Sequence, residues 1–446
     1  MRFVIIGGDA AGMSAASKAK RNNPDLDVIV LEATDDVSYS ACGMPYNIGD
    51  RNRVIDDLVV RRAEVFRSKQ GIDLRTGHKV VSIDRNSRKV GYQTADGQSG
   101  DVGYDKLLIA SGAKPIRPRI SGLDLAGVVV LKSLQDGRII KNFLENSPVR
   151  KVLVVGMGYI GLEMAEAFHS IGISVAMIDL SNRLLPFLPE EMAEVVKKEL
   201  SEKGIEFSLG VGIKSIKQDG AGLLTETTDA SVNSGLVLLS MGVIPNSEFA
   251  ADAGLELGPK NSVAVDRGLR TSDPDIFSAG DCADAFHVIT GKRVWIPLAL
   301  RANRAGWAVA DNVTGGSVEI PGILGTAVFK VLDLEVARTG LSFEEALSEG
   351  YDVVQETIKS RSRAHSHPGN QTIYVNLVAD RRSGKLLGAS MVGKEGVAHR
   401  IDSIAVALHA GMTVAQFSHC DLAYAPPFSP VWDPMLTGAN QLLKKL

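Results

Sequence analysis

The chain has 446 residues, of which 23% are charged, and a formal net charge of -3. That length is enough for about three domains, and the balanced charge offers no basic surface to nucleic acid or to a membrane. Without an apolar stretch of roughly 20 residues for a membrane helix, or room for a signal peptide before the first strand, the sequence favours a cytoplasmic protein.

The first thirty residues predict a strand, a glycine turn, a helix and a second strand. Residues 3–6 are apolar, Gly7 and Gly12 follow, and a second apolar run ends at Glu32. In a dinucleotide-binding unit the first glycine makes the turn, the second admits the pyrophosphate and the third lets the helix pack on the sheet. Asp9 stands in place of the second glycine, so this unit departs from the pattern. The predicted nucleotide contacts are Gly7, Ala10, Gly12, Glu32 and Ala33.

Cys42 lies in the segment SYSACGMPYN, residues 38–47. The three cysteines cannot pair evenly and lie far apart in sequence, so no structural disulfide framework is expected. We expect a helix to begin at Cys42, and the positive helix end would lower the pKa of the thiol and favour the reactive thiolate. A buried structural cysteine is the alternative. Cys282 and Cys420 are predicted to be structural, because neither neighbourhood has the spacing of metal ligands.

The same pattern returns at residues 151–179, and here all three glycines are present. The second strand ends at Asp179, where an acidic side chain can bond a ribose hydroxyl. A carboxylate there would repel a 2′-phosphate, which favours NADH over NADPH, although Arg183 nearby weakens this preference. The predicted nucleotide contacts are Gly156, Gly158, Tyr159, Ile160, Gly161, Glu163, Asp179 and Gly242.

Beyond about residue 325 the glycine-turn pattern gives way to a different organisation. Residues 371–377 alternate between polar and apolar side chains, which predicts a strand, and residues 400–409 have the pattern of an amphipathic helix. Turns rich in proline and glycine at residues 115–118 and 321–322 are the predicted domain boundaries. A third domain of mixed helices and strands is therefore expected at the C-terminus.

The segment TSDPDIFSAGD, residues 271–281, closely resembles the distal FAD motif of the pyridine nucleotide-disulfide oxidoreductases. Residues 107–112 and 239–242 resemble the segments that link the family's FAD and NAD domains. The resemblance implies an α/β fold with two Rossmann-like dinucleotide-binding domains and an α+β C-terminal dimerisation domain. The implied domains are FAD-binding at 1–114 and 246–322, NAD(P)H-binding at 115–245 and dimerisation at 323–446. Asp281 would bond the ribityl chain, and the further implied FAD contacts are Ala110, Ser111, Gly112, Pro297 and Ala299.

The surroundings of Cys42 resemble one branch of this family. Dithiol members have a second cysteine five positions after the first, where this chain has Asn47. The segment is instead similar to that of the single-cysteine branch, which contains coenzyme A disulfide reductases, NADH-dependent persulfide or polysulfide reductases, NADH oxidases and NADH peroxidases. The peroxidases and water-forming oxidases carry a histidine in the first glycine turn, where this chain has Ala10. The resemblance therefore favours reduction of a sulfur compound.

The segment DLAYAPPF, residues 421–428, resembles the region that brings a tyrosine of the neighbouring subunit to the redox sulfur. The resemblance makes Tyr424 the second expected catalytic residue and implies a two-fold homodimer. A core aromatic with a hydrogen-bonded hydroxyl is the alternative. Two departures concern the substrate: Ala41 replaces a common asparagine, and His367 lies where some relatives have the sequence Tyr-Tyr-Pro-Gly.

The predicted protein is an FAD-dependent NAD(P)H:disulfide oxidoreductase that acts on coenzyme A disulfide, coenzyme A persulfide, polysulfide or a similar small disulfide. Coenzyme A is thus a candidate ligand, and the candidate substrate contacts are Ser38, Lys18, Arg21, Arg62 and His367. The basic residues among them can equally form a solvated face, and His367 can be an ordinary loop histidine. Two alternatives are an NADH oxidase that forms a sulfenic acid on Cys42 and a flavin-bearing redox sensor without turnover.

Overall fold

Three five-stranded sheets organise the computed structural model, which describes residues 1–446. The strands of the first sheet are all parallel. The helices Ala10–Asn22 and Ala299–Val313 pack against each other beside this sheet. In spatial order its strands are Ile276–Ser278, Lys106–Ile109, Arg2–Ile6, Asp27–Leu31 and Asp73–Arg75.

The second sheet is also entirely parallel. Its three central strands are buried almost throughout, as expected for a parallel sheet with helices on its faces. In spatial order the strands are Glu206–Leu209, Ser174–Asp179, Lys151–Val155, Leu236–Leu239 and Val128–Val130. The helices of this part of the chain are Leu134–Asn146, Tyr159–Ser170 and Glu190–Glu202.

The third sheet is antiparallel and contains the strand predicted at residues 371–377. In spatial order its strands are Ala327–Val331, Leu334–Gly340, Leu386–Gly393, Thr372–Asp380 and Val353–Arg361. The helices that accompany it are Phe343–Ser348, Val397–His409, Val414–Ser418 and Pro434–Leu442. The predicted helix at 400–409 is thus present and begins three residues earlier, at Val397.

Two short strands join the first two sheets. Ala113–Pro115 pairs antiparallel with Val243–Pro245, so the chain leaves the first sheet and returns to it at neighbouring points. The remaining strands are His78–Asp84, Lys89–Thr94, Ser99–Gly103, Ile213–Asp219, Gly222–Thr227, Val232–Ser234, Ala285–Phe286 and Arg293–Val294. The remaining helices are Met44–Ile48, Ala63–Gln70 and Glu248–Asp252, with short 3-10 turns at Ala41–Gly43, Ile55–Leu58, Pro259–Asn261 and Leu443–Lys445.

The predicted α/β class with two Rossmann-like units and an α+β C-terminal unit is confirmed by these sheets. In each of the two parallel sheets, the glycine turn and the other loops that follow the strands lie at the carboxyl ends of the strands. Nucleotides bind at this end in folds of this kind. The helices are all too short or too polar to cross a membrane.

Candidate active site

Both predicted glycine turns join a parallel strand to a helix. Gly7 and Gly156 each follow the first strand of their unit and have φ 105°. A Cβ atom on Gly12 would lie 1.9 Å from the carbonyl oxygen of Gly7, and one on Gly161 would lie 2.0 Å from that of Gly156. Because neither position admits a side chain, each helix packs directly on its strand, as the third glycine of the motif requires.

The acidic residues that follow or end the second strands hold these turns in place. Glu32 accepts a hydrogen bond at 2.7 Å from the backbone N–H of Gly8, and Asp179 accepts one at 2.6 Å from that of Met157. Both acids therefore bind the N–H that comes directly after the first glycine. A carboxylate has about four lone-pair sites, so each can also accept a ribose hydroxyl. Ala33 follows Glu32 at the same edge and is exposed.

The two units differ at the second glycine position. A Cβ atom on Gly158 would meet no heavy atom within 4 Å, so the backbone there faces open space. The helix Tyr159–Ser170 has no side-chain cap, which leaves its first N–H groups free for a pyrophosphate. In the first unit Asp9 has φ −109° and no capping hydrogen bond, and Ala10 begins the helix. Since φ is negative, aspartate replaces glycine there without backbone strain.

Asp9 lies in an environment that disfavours its charge. Burial raises the pKa of the Asp9 carboxyl to about 6. The backbone N–H of Tyr39 and the charge of Lys132 lower this pKa in part, whereas Glu32 and Asp281 raise it further. The ionised carboxylate therefore costs folding free energy at neutral pH.

Replacing Asp9 with asparagine should stabilise the protein increasingly as the pH rises. The folded pKa lies above the ordinary value of 3.8, so wild-type stability falls as pH rises from about 4 to about 6 and stays reduced above that. Between pH 5 and pH 8 the stability advantage of the variant should grow by about 1 kcal/mol. Urea denaturation followed by circular dichroism at both pH values measures it. The matched change of exposed Asp252 to asparagine controls for the loss of one surface carboxylate, and an equal growth there would contradict the assignment.

Asp281, the acid of the distal motif, joins the two nucleotide-binding parts of the chain. Its carboxylate lies 2.8 Å from the ammonium of Lys132, which follows the strand Val128–Val130 of the second sheet. The indole N–H of Trp295 donates a hydrogen bond to its carbonyl oxygen at 2.8 Å. Sequence reasoning missed Lys132, although its place just after the carboxyl end of a strand was a usable signal.

The distal motif, the first turn and the start of the helix Ala299–Val313 lie together. A Cβ atom on Gly280, where φ is 86°, would lie 3.2 Å from Ala11 and 3.8 Å from Ala302. Pro297 and Ala299 therefore lie at the end of this helix that adjoins the first turn. The distal motif, the first glycine turn and the start of the helix Ala299–Val313 are distant in sequence but together surround the backbone N–H groups of the turn. This arrangement suits the pyrophosphate of a dinucleotide.

The two segments that connect the first and second sheets, around residues 110–112 and 242–246, also adjoin the first glycine turn. The hydroxyl of Ser111 donates a hydrogen bond at 2.6 Å to the carbonyl oxygen of Asn246, whose side chain returns one at 2.9 Å to the carbonyl oxygen of Ser111. A Cβ atom on Gly7 would lie 2.2 Å from the carbonyl oxygen of Ala110. Gly112 and Gly242 both have positive φ, and a Cβ on Gly112 would meet nothing within 4 Å. An open backbone surface thus lies at the crossing between the first two sheets.

Cys42 lies in the 3-10 turn Ala41–Gly43 and is accessible to solvent. The protein around the sulfur partly desolvates it, and this raises the pKa of the thiol. The charge of Glu163 raises the pKa further, whereas Lys132 lowers it and Asp281 and Asp9 raise it by smaller amounts. Cys42 therefore lies within electrostatic range of groups from both nucleotide-binding units.

The expected lowering of the Cys42 pKa by a helix is wrong. The helix after it, Met44–Ile48, has five residues and begins two residues beyond the sulfur. A helix of little more than one turn contributes a small dipole. Partial desolvation and the carboxylate of Glu163 outweigh it, and the positive charge near the sulfur comes from Lys132 instead.

The position of a second redox cysteine is filled by a structural asparagine. Asn47 is fully buried, and its amide donates a hydrogen bond at 2.9 Å to the carbonyl oxygen of Val54. The ammonium of Lys141 donates to both the backbone and the side-chain oxygen of Asn47, at 3.1 and 3.2 Å. This network holds the segment after Cys42 and leaves Cys42 without a thiol partner beside it.

Glu163 and Tyr159, from the helix of the second unit, face the cysteine segment and the third sheet respectively. The hydroxyl of Tyr46 donates a hydrogen bond to Glu163 at 2.8 Å, and burial raises the pKa of the Glu163 carboxyl. Tyr159 stacks on Phe329 with ring centroids 4.5 Å apart. Ile160, next along the helix, is exposed. The second unit thus contacts the Cys42 segment directly, through the hydrogen bond between Tyr46 and Glu163. Of these two residues, only Glu163 was predicted from the sequence as a site residue.

Tyr424 and His367 lie on adjoining loops of the C-terminal domain. The backbone N–H of Ala364 donates a hydrogen bond at 3.1 Å to the carbonyl oxygen of Pro426, which ties the His367 loop to the Tyr424 segment. Tyr424 is 49% exposed and its hydroxyl has no partner within the chain, so the alternative of a core aromatic is wrong. Phe428, which follows in the segment, is also exposed. Sequence reasoning did not identify what holds this segment.

A buried ion pair holds both loops on the helix Val397–His409. The guanidinium of Arg400 lies 2.9 Å from the carboxylate of Asp433, and both side chains are buried. The guanidinium also donates hydrogen bonds to the carbonyl oxygens of Ser362 at 3.1 Å and Phe428 at 3.4 Å. Arg400 is therefore the common support of the loops that carry His367 and Tyr424.

The basic substrate candidates lie on the first domain. Lys18 is partly neutralised by Asp311 at 3.4 Å, whereas Arg21 and Arg62 are exposed and have no ion-pair partner. Ser38 has φ 50° and its N–H donates a hydrogen bond at 3.1 Å to the carbonyl oxygen of Gly8. Ser38 therefore connects the Cys42 segment to the first glycine turn.

Comparison with known proteins agrees with this geometry. A family model described as pyridine nucleotide-disulphide oxidoreductase matches residues 1–306, and the model of that family's dimerisation domain matches residues 326–435. The match to a dimerisation domain indicates a homodimer.

Similar proteins cover the whole chain. An NAD(P)H coenzyme A polysulfide/persulfide reductase of Pyrococcus horikoshii is 39% identical over 444 residues, 99% of this chain and 98% of that protein. A coenzyme A disulfide reductase of Staphylococcus haemolyticus is 29% identical over 96% of both chains, and proteins named NADH oxidase are also similar. The solved structure of an NAD-dependent persulfide reductase from A. fulgidus has a TM-score of 0.96 and 36% identity, covering 100% of this chain and 83% of that one. The chain therefore belongs to the pyridine nucleotide-disulphide oxidoreductase family, as its motifs predicted.

Proposed function

We propose that this protein is an FAD-dependent NAD(P)H:disulfide oxidoreductase that reduces coenzyme A disulfide, coenzyme A persulfide or a related small sulfur compound through Cys42. One observation carries the proposal. Cys42 is an accessible thiol whose ionisation responds to charges of both nucleotide-binding units, while Asn47 takes the place of a second cysteine. A substrate thiol must therefore supply the second sulfur of the redox disulfide.

FAD and NADH each have a set of residues suited to them. FAD bound there would supply two-electron redox chemistry between a nicotinamide and the sulfur of Cys42. Asp281, Glu32 and the turn at Gly7 hold FAD in this proposal, and Asp179 with the turn at Gly156 holds NADH. The proposed FAD domain comprises residues 1–114 and 246–322, the NADH domain 115–245 and the dimerisation domain 323–446. The paired strands at residues 113–115 and 243–245 support the first two limits.

Cys42 performs the covalent step. Its thiolate attacks one sulfur of coenzyme A disulfide, so a bond forms between Cys42 and that sulfur while the second coenzyme A departs as a thiolate and takes up a proton. Two electrons that originate in NADH then cleave the bond to Cys42. This cleavage restores the Cys42 thiolate and releases the first coenzyme A, which also takes up a proton. The overall reaction consumes one NADH and one proton and yields two thiols.

Tyr424 of the partner subunit supplies a proton to the departing sulfur in this mechanism. Its exposure and its unpartnered hydroxyl leave it free to reach another chain, and His367 accompanies it on the adjoining loop. On the Cys42 side, Lys18, Arg21 and Arg62 attract the phosphates of coenzyme A, and Ser38 contacts the substrate near the sulfur. The homodimer thus completes each active site.

An acceptor assay tests the proposed function. Under argon, purified protein should oxidise NADH when coenzyme A disulfide or coenzyme A persulfide is present. It should oxidise NADH faster than NADPH, because Asp179 repels a 2′-phosphate. Oxygen alone should support much slower turnover, since Ala10 replaces the histidine of the water-forming oxidases. Fast oxidation of NADH under air without any sulfur acceptor would instead favour the oxidase, and no turnover with any acceptor would favour the redox sensor.

A further inference from the structure

A basic cavity of about 770 Å³ lies at one end of the third sheet. It lies between the end of the edge strand Val353–Arg361, the start of its neighbour Thr372–Asp380 and the start of the helix Pro434–Leu442. A cavity of this volume is in the range of small-molecule sites. Among the eleven residues that line it, none carries a carboxylate, although acidic residues outnumber basic ones in the chain, 52 to 49.

Unpaired positive charges face this cavity. Lys359 and Arg361 are two residues apart on the edge strand, so their side chains leave the same face of the sheet. Neither forms an ion pair within the chain, and the Lys359 ammonium lies 5.8 Å from the centre of the Tyr374 ring. The third cation, Arg363, is paired with Glu395 at 2.6 Å. Two cations thus remain for an anionic ligand, and phosphate groups suit them.

An aromatic side chain completes the cavity. Trp432 lines it and is 64% exposed, so its indole face is available to a ligand. An exposed indole can stack on a nucleobase, and each such contact contributes roughly 1–3 kcal/mol in proteins that bind bases. Cations for phosphates and an indole for a base together indicate a nucleotide that carries several phosphates.

The cavity adjoins the surface that carries Tyr424. Arg363 and His365 line the cavity, and Ala364 between them donates the hydrogen bond to Pro426, two residues after Tyr424. If Tyr424 reaches the active site of the partner subunit, the cavity lies beside that site. Coenzyme A disulfide has a nucleotide at each end, and the proposed function uses Arg21 and Arg62 of the first domain for one of them.

We propose that the basic cavity binds the phosphorylated adenosine of the second, departing coenzyme A. This inference rests on the proposed function and deepens it, because it distinguishes two substrate classes. A disulfide of two coenzyme A molecules uses both nucleotide sites, whereas a persulfide has a single nucleotide end. A chain with both sites is built for the disulfide.

The double change of Lys359 and Arg361 to glutamine tests the inference in the intact holoenzyme. Losing charge-assisted phosphate contacts should raise the KM for coenzyme A disulfide about tenfold and leave kcat unchanged. The KM for pantethine, the matching disulfide without nucleotides, should not change. In calorimetric titration with adenosine 3′,5′-bisphosphate, one of the two sites per subunit should be lost. The matched control is Arg382→Gln, because Arg382 is 80% exposed in the same domain and outside the cavity.

The possible results separate the inference from the function on which it rests. An unchanged KM for coenzyme A disulfide, an equal rise for pantethine, or nucleotide binding that survives the double change would overturn the inference. So would inorganic phosphate binding as tightly as the nucleotide, or the cavity being filled by the second copy of the chain so that no nucleotide enters. Loss of nucleotide binding in a protein without disulfide turnover would support the cavity as a nucleotide site and contradict the proposed function.

Discussion

Replacing Cys42 with serine should abolish the reduction of coenzyme A disulfide and leave the reduction of the flavin by NADH intact. A serine hydroxyl stays protonated at neutral pH and cannot form the mixed disulfide, so the rate should fall at least roughly a thousandfold. Neither other thiol can replace it. Cys282 is fully buried, with its sulfur 3.4 Å from the carbonyl oxygen of Ile109, and Cys420 lies in the C-terminal domain.

Two measurements distinguish this loss from general damage. The variant should keep its flavin absorbance and should still transfer electrons from NADH to ferricyanide, which needs no thiol. The matched change Cys420→Ser removes a half-buried thiol whose sulfur lies 3.8 Å from the carbonyl oxygen of Gln416, and should leave disulfide reduction unchanged. Retention of full disulfide reduction by the Cys42 variant would exclude Cys42 as the redox centre and with it the mechanism proposed here.

The parts of the fold that the sequence predicted depend on short-range rules. Gly12 and Gly161 are required because a Cβ atom would collide with the turn five residues earlier, so their spacing is visible in the sequence. The strand that ends at Asp179 and the helix that begins at Tyr159 follow from the same local pattern. Glu32 and Asp179 were identifiable as candidates because each stands at the end of the second strand of its unit, and each binds the turn of that unit.

The parts that the sequence did not predict depend on distant residues. The pKa of Cys42 is set by desolvation, by Glu163 and by Lys132, which lie about a hundred residues away in sequence. No local pattern shows that these groups converge, and the one local feature that was used, a helix at the cysteine, has the smaller effect. The pairing of Lys132 with Asp281 likewise appears only when the two sheets come together.

The ion pair between Arg400 and Asp433, which supports the Tyr424 segment, also depends on residues that are distant in sequence. Its removal is the second change for which we expect a large effect. Changing Arg400 to methionine should destabilise the protein by about 3–5 kcal/mol, because it leaves the buried carboxylate of Asp433 without its counter-charge. The carbonyl oxygens of Ser362 and Phe428 would also lose their donor. The loops that carry His367 and Tyr424 should then loosen together, and disulfide reduction should fall while ferricyanide reduction persists.

A second change distinguishes the buried charge from the lost packing. In Arg400→Met/Asp433→Asn the carboxylate is gone, but the asparagine oxygen can still cap the helix Pro434–Leu442, as Asp433 does through the N–H of Met435 at 2.9 Å. Urea denaturation should therefore show the double variant to be more stable than Arg400→Met alone. The exposed pair Lys198 and Glu202, 3.6 Å apart, provides the control, because Lys198→Met should change stability by less than about 1 kcal/mol. A double variant no more stable than the single one would show that packing, and not charge, makes Arg400 necessary.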